Sequence, residues 1–148
     1  MAARKCADLC DQSFWEDLLG CVSQDDGENP MGMHRTVLEW TTDDYNTVVA
    51  LARRMSDYIE ANEPDTLAFE WFGDEASGKV VWYQVYTNDE AFLKHAQNMA
   101  QIGLRDELQK VLSFERLMIL TPITHSQVKE MAHQMDAVEL KEIAGIVR

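Results

Sequence analysis

The chain has 148 residues, 46% of them apolar and 26% charged, the size and composition of one globular domain that buries about 70% of its unfolded surface. Thirteen basic against 26 acidic side chains leave a formal charge of −13, which repels phosphate backbones and anionic membranes, so nucleic acid is excluded as a partner. No apolar run reaches the ~20 residues that span a bilayer, and residues 1–8 carry no apolar stretch after their basic pair. No membrane contact is expected, and the cytoplasm is the expected compartment.

Cys6, Cys10 and Cys21 are an odd set with no histidine at zinc-ligand spacing, so they read as reduced thiols with neither a disulfide framework nor a metal. Ser13 and Glu16 are spaced as a capping box, and Phe14, Leu18, Leu19 and Val22 follow at helical intervals. This predicts a short amphipathic helix. Residues 24–32, QDDGENPMG, are a polar linker. The chain therefore divides into a helical extension with linker, residues 1–32, and a main domain, residues 33–148.

Residues 33–40, MHRTVLEW, are rich in β-branched and aromatic types and predict a first strand. Thr41 and Asp44 are spaced to cap a helix, whose stripe of Val48, Leu51, Ala52, Met55, Tyr58 and Ile59 runs to Glu60. Pro64 ends it. TLAFEWF, residues 66–72, and VVWYQVY, residues 80–86, form a hairpin across a loop spanning 73–79. Thr87 with Glu90 opens a second helix bearing Phe92, His95, Ala96 and Met99 on one stripe, and Gly103 breaks it before a shorter helix with Leu104, Leu108, Val111 and Leu112. A fourth strand over 113–120 and a last helix opened by Thr124 and Gln127 follow, with an irregular tail to Arg148. The order β-α-β-β-α-β predicts a ferredoxin-like α+β fold, an antiparallel four-stranded sheet with helices on one side and extra helices at both termini.

Neither face of the hairpin is polar, and one helical layer covers only one face. A second copy is the simplest cover, so an obligate sheet-on-sheet homodimer is expected, with Leu67, Phe69, Trp71, Val81, Tyr83 and Val85 at the interface. The alternate set, with Glu70, Gln84, Trp82 and Tyr86, then faces the helices beneath Phe92 and His95, where a small cavity is expected.

Residues 62–72, NEPDTLAFEWF, the aromatic third strand and the helix start Asp89-Glu90-Ala91-Phe92 resemble the central block of the antibiotic biosynthesis monooxygenase-like family. The likeness extends in element order from Met33 to about Met135. It implies a dimeric α+β barrel with one cavity per subunit, and in some members the oxidation of quinols or aromatic polyketides by molecular oxygen without metal or flavin. It therefore implies no cofactor. A gap-free match puts Trp82, Tyr86, Phe92 and Phe72 at the pocket positions of the polyketide-oxidising branch, each differing from that branch. His95 stands where the haem-degrading branch has a tryptophan.

His95 is the titratable group on the inner stripe of the second helix, suited to take a proton from a phenol, or else a helix-edge histidine bonded to a carbonyl or water. Glu70 is a second catalytic candidate if desolvated; otherwise it pairs with Arg35 or Gln84. Phe72, Trp82, Gln84, Tyr86, Phe92 and Met99 are the candidate substrate-binding set, with core filling as the other fate of the rings. The expected activity is a cofactor-independent monooxygenase of a flat hydrophobic aromatic. The alternative is a non-catalytic homodimer that binds a small molecule, or a partner protein through Phe14, Trp15 and Leu18.

Overall fold

The computed structural model describes residues 32–146. The helix expected over 13–22, the three cysteines and all of the linker except Gly32 lie outside the described residues. The elements run in the order β1 (His34–Thr41), α1 (Tyr45–Asn62), β2 (Thr66–Asp74), β3 (Lys79–Tyr86), α2 (Asp89–Gln101), α3 (Leu104–Gln109), β4 (Ser113–Ile119), α4 (Ser126–Gln134) and β5 (Val138–Glu139). The strands lie in the order β2-β3-β1-β4-β5, antiparallel except for the parallel β4–β5 pair. This is the mixed α+β architecture that the element order predicts, with one strand added at its edge.

That added strand replaces the irregular tail. Asp136, at φ 51°, turns the chain after α4, a left-handed conformation that aspartate tolerates better than most residues. Val138 and Glu139 then pair with Met118 and Ile119. All three expected helix caps shift as well. Thr41 is drawn into β1 opposite Lys79 and Ser113, and Asp44 caps α1 instead by accepting from the Thr47 N–H. Asn88 takes the place expected for Thr87, and His125 that for Thr124. Short polar acceptors one to three residues downstream serve the same orphan N–H groups.

The β2–β3 hairpin is tighter than expected. Asp74 pairs with Lys79, so four residues, 75–78, make the turn. The Asp74 carboxylate accepts from the Ala76 N–H and the Ser77 hydroxyl, and Gly78 at φ +69° completes the reversal. Its carbonyl accepts from the Thr42 N–H at 2.8 Å.

This register sets the faces. Phe69 lies opposite Gln84 and Trp71 opposite Trp82, so those four share one side, while Glu70 faces Tyr83 and Phe72 faces Val81 on the other. The third-strand division is as expected, but that of β2 is reversed: Phe69 and Trp71 face the helices, and Glu70 and Phe72 do not. Leu67, unpaired in a bulge between Thr66 and Ala68, is 52% exposed.

All four helices contribute side chains over the same inner face, where Leu38, Trp82, Tyr86, Leu117 and Ile119 are buried against Val48, Met55, Phe92, Met99, Leu104 and Val128. The outer face carries Val37, Ala68, Phe72, Val81, Tyr83, Val85 and Met118, bordered by Glu39 bonded to Arg116 at 2.9 Å. No helix among the described residues covers it. Nor is any of them long and apolar enough to cross a membrane.

Two glycines at positive φ separate backbone strain from crowding. A side chain at Gly78 would run into the Thr42 carbonyl, whereas at Gly103, φ +75°, nothing lies within 4 Å. Gly103→Ala is expected to lower unfolding free energy by about 1–2 kcal/mol and Gly78→Ala by more, because steric displacement adds to the left-handed cost. Urea unfolding of the two variants measures the difference.

Candidate functional site

A cavity of about 130 Å³ lies between the inner face and the helices. Its sheet wall is Leu38, Trp40, Trp82, Gln84 and Leu117, and α1 adds Met55. The face of α2 supplies Phe92, His95, Ala96 and Met99, one stripe at intervals of three and four. Arg105, Leu108, Gln109 and Leu112 follow from α3 and the turn after it, and Met131 and Met135 from α4 and its end.

His95 is held by a carboxylate from outside its helix. Its Nδ1 lies 2.8 Å from Glu63 Oε2, both groups being almost fully buried. Glu63 sits just past the end of α1, out of the helical region that the following Pro64 disfavours. It also accepts from Asn98 Nδ2 at 2.9 Å and from the Thr66 hydroxyl at 3.1 Å. Burial pushes the Glu63 carboxyl upward, but the hydrogen bonds from His95, Asn98 and Thr66, with the charge of His95, outweigh it and hold it below its ordinary value. An ionised Glu63 only accepts, so Nδ1 of His95 donates across this bond and Nε2 is the ring nitrogen left to other partners. A histidine oriented in this way by a carboxylate can serve as a general base when its Nε2 is unprotonated.

Gln84, on the cavity floor, accepts from the Thr36 hydroxyl at 3.1 Å, which leaves its amide N–H groups as donors. Trp82 packs between Trp40 and Trp71 at centroid distances of 4.7 and 4.6 Å. The floor is thus a broad aromatic surface with one amide.

A second buried pair stands behind Phe92. His34 Nδ1 lies 2.8 Å from Asp89 Oδ1, and the His34 ring stacks on Phe92 at 4.4 Å. Asp89 Oδ2 accepts from the Thr124 and His125 N–H groups, both at 2.9 Å. Burial raises the Asp89 carboxyl, and the bonds from His34, His125 and Thr124 more than reverse that. This pair ties β1, the start of α2 and the start of α4 together without reaching the cavity wall.

Of the residues singled out in the sequence, His95, Trp82, Gln84, Phe92 and Met99 meet at the cavity. Tyr86 is fully buried beside it, 5.5 Å from the Phe92 ring and 5.6 Å from that of His95. Burial, with the negative charge of Glu63, pushes its phenol well above the ordinary value, so it stays protonated. Glu70 and Phe72 are corrections: both are exposed on the outer face, because the four-residue turn sets Gln84 opposite Phe69 and not opposite Glu70. Glu63, Trp40, Arg105 and Gln109 were missed. Glu63 carried a signal only as the residue before Pro64. Among the described residues no three or more His, Cys, Asp or Glu side chains are grouped to hold a metal ion.

No protein-family model matches the chain, and neither does any curated protein. Among solved structures it is similar to MupZ from Pseudomonas fluorescens, with a TM-score of 0.59 and 16% identity, covering 79% of this chain and 95% of that one. It is also similar to a candidate antibiotic biosynthesis monooxygenase of Caulobacter crescentus, with a TM-score of 0.53 and 13% identity over 65% of this chain and 92% of the other. A third is Rv0793 from Mycobacterium tuberculosis, at 0.51 and 14%, covering 64% and 98% of the two chains. The resemblance to antibiotic biosynthesis monooxygenase-like proteins is therefore one of fold.

Glu63 and Asp89 give the fold an acid limit. Both carboxyls lie below their ordinary values of 4.5 and 3.8, so their stabilisation is complete above about pH 5 and is lost as pH falls through the lowered values. Urea midpoints from pH 7 to pH 3 are expected to be level and then to drop, with a shallower drop in Glu63→Gln.

Proposed function

We propose that the protein is a monooxygenase that oxidises a flat, single-ring hydroquinone with molecular oxygen, without metal or flavin, and that it works as a homodimer. The observation that carries this reading is the His95–Glu63 pair opening on an aromatic cavity. An apolar cavity of ~150 Å³ accommodates a benzene ring, so about 130 Å³ fits one ring and not a fused polyketide. The likeness in fold to a candidate monooxygenase supports the reaction class.

The ring lies against Trp82 and Phe92 with one hydroxyl at His95 Nε2 and an oxygen within reach of the Gln84 amide. His95 takes the phenolic proton as the ring begins to transfer electrons to oxygen, and Glu63 stabilises the imidazolium it becomes. The hydroquinone anion and oxygen combine at a ring carbon through a new C–O bond. His95 returns its proton to the peroxide, and loss of the hydrogen on that ring carbon as a proton with cleavage of the O–O bond releases one oxygen as water and leaves the other on the ring. Hydroquinone and oxygen thus give hydroxyquinone and water, with four electrons passing from the ring to oxygen. The apolar walls exclude bulk water from the charged intermediate.

Oxygen uptake with hydroquinone tests the reaction. His95→Ala is expected to lower kcat by about 100-fold or more, with circular dichroism unchanged. Glu63→Gln is expected to lower it at least about tenfold, because an amide can donate to Nδ1 and so favours the wrong tautomer. An uptake rate that His95→Ala leaves untouched overturns the reading.

The uncovered outer face supports the dimer. Exposed Phe72 and half-buried Val37, Val81, Tyr83 and Met118 make an apolar surface of a kind that monomers seldom leave open. Sedimentation at micromolar concentration is expected to show two chains per particle, and Tyr83→Arg to shift the particle to one.

A further inference from the structure

The hairpin leaves β2 at the edge of the sheet, and a groove of about 430 Å³ runs between this strand and α1. Tyr45, Val49 and Ala52 line it from the helix and Phe69 and Trp71 from the strand, all five half-buried. Tyr45 closes one end over Gly73, where an added Cβ would come 2.6 Å from the Tyr45 hydroxyl. Arg53 and Asp57, one turn apart and both exposed, border the groove without an ion pair among the described residues. The two strand rings also back the cavity: Phe69 lies 5.1 Å from the His95 ring and Trp71 lies 4.6 Å from the Trp82 ring. An aromatic edge strand open to solvent invites pairing with other chains, and proteins commonly cover such an edge with a helix or loop of their own.

The chain itself holds a cover within reach. β1 starts at His34 opposite Tyr86, which lies opposite Thr66 at the start of β2, so residues 1–31 join the domain two strands, about 10 Å, from the open edge. Phe69 and Trp71 stand three and five residues farther along β2, which is about 10 to 17 Å, and residues 23–31 can span up to about 30 Å. Ahead of that stretch Phe14, Leu18 and Val22 recur at intervals of four, with Glu16 and Asp17 between them. We propose that residues 14–22 dock in the groove of their own copy, with their apolar side chains on Val49, Ala52, Phe69 and Trp71 and their acids toward Arg53. A segment tethered this closely faces the groove at an effective concentration on the order of millimolar, ahead of any free peptide. Docking there leaves the outer face to a second copy, and it stands independently of the proposed reaction.

The chain's own cysteines report on this docking, because Cys10 and Cys21 flank the segment and a disulfide forms only where two Cα atoms come within about 7 Å. Full-length Ser56→Cys, on the groove, and Lys129→Cys, exposed on α4, are oxidised with diamide at low micromolar concentration, and the bridges are mapped by peptide mass spectrometry. Bridging of Cys10 or Cys21 to position 56 is expected at least about tenfold above bridging to position 129. Ala52→Cys, on the same wall, gives an independent reading. Adding Phe14→Asp and Leu18→Asp is expected to cut the yield about tenfold, because charges replace the apolar contacts. Arg53→Glu is expected to cut it about threefold, by turning a neutral rim negative against Glu16 and Asp17. Equal bridging at positions 56 and 129, or a yield that the double substitution leaves unchanged, overturns the proposal. So do bridges found only between chains in a mixture of isotopically light and heavy protein, and a Tyr83→Cys variant that bridges in preference to Ser56→Cys, which places the segment on the outer face.

Discussion

One buried carboxylate joins the scaffold to the chemistry. Glu63 ends α1 by donating its N–H to the Ile59 carbonyl, starts β2 by accepting from the Thr66 N–H at its own carbonyl, and fixes α2 through His95 and Asn98. A charge so buried is costly unless nearly every lone pair is engaged. Three side-chain donors engage it. Anything that moved α1, β2 or α2 apart would leave that charge unsatisfied, so the geometry of the His95–Glu63 pair is defended by the stability of the fold.

The sheet imposes the second constraint. Four helices lie over one face, and that face is given to rings: Phe69, Trp71, Trp82, Trp40 and Tyr86. Large flat side chains on strands meeting short and flexible ones on helices, such as Met55, Met99 and Met131, leave irregular space, which methionine lines without fixing its shape. The cavity is thus a consequence of which residues meet, and α3, started by the break at Gly103, adds part of its wall. The outer face carries β-branched and aromatic residues with no helix above it among the described residues.

Period and breakers made the elements legible. The stripe Val48, Leu51, Met55 and Ile59 and the stripe Phe92, His95 and Met99 are buried as their spacing requires, and Pro64, Gly103 and Pro122 mark real boundaries. Pairing was not legible to the same degree. Within a strand the alternation is certain, but which alternate of β2 meets which of β3 depends on turn length, and a turn of four residues in place of a longer loop exchanged Phe69 and Trp71 for Glu70 and Phe72. The caps shifted for a related reason: Thr41 fits equally as a capping residue and as the last rung of β1, and sheet pairing won. Contacts far apart in the chain, Glu63 with His95 or His34 with Asp89, have no local signature.

The division of charge around His95 is what the proposed chemistry on a phenol requires. A carboxylate placed directly on the wall would repel an incoming phenolate and compete for its proton. In the proposed reaction the negative charge of Glu63 stands one residue removed, behind the imidazole, where it strengthens His95 as a base without confronting the guest.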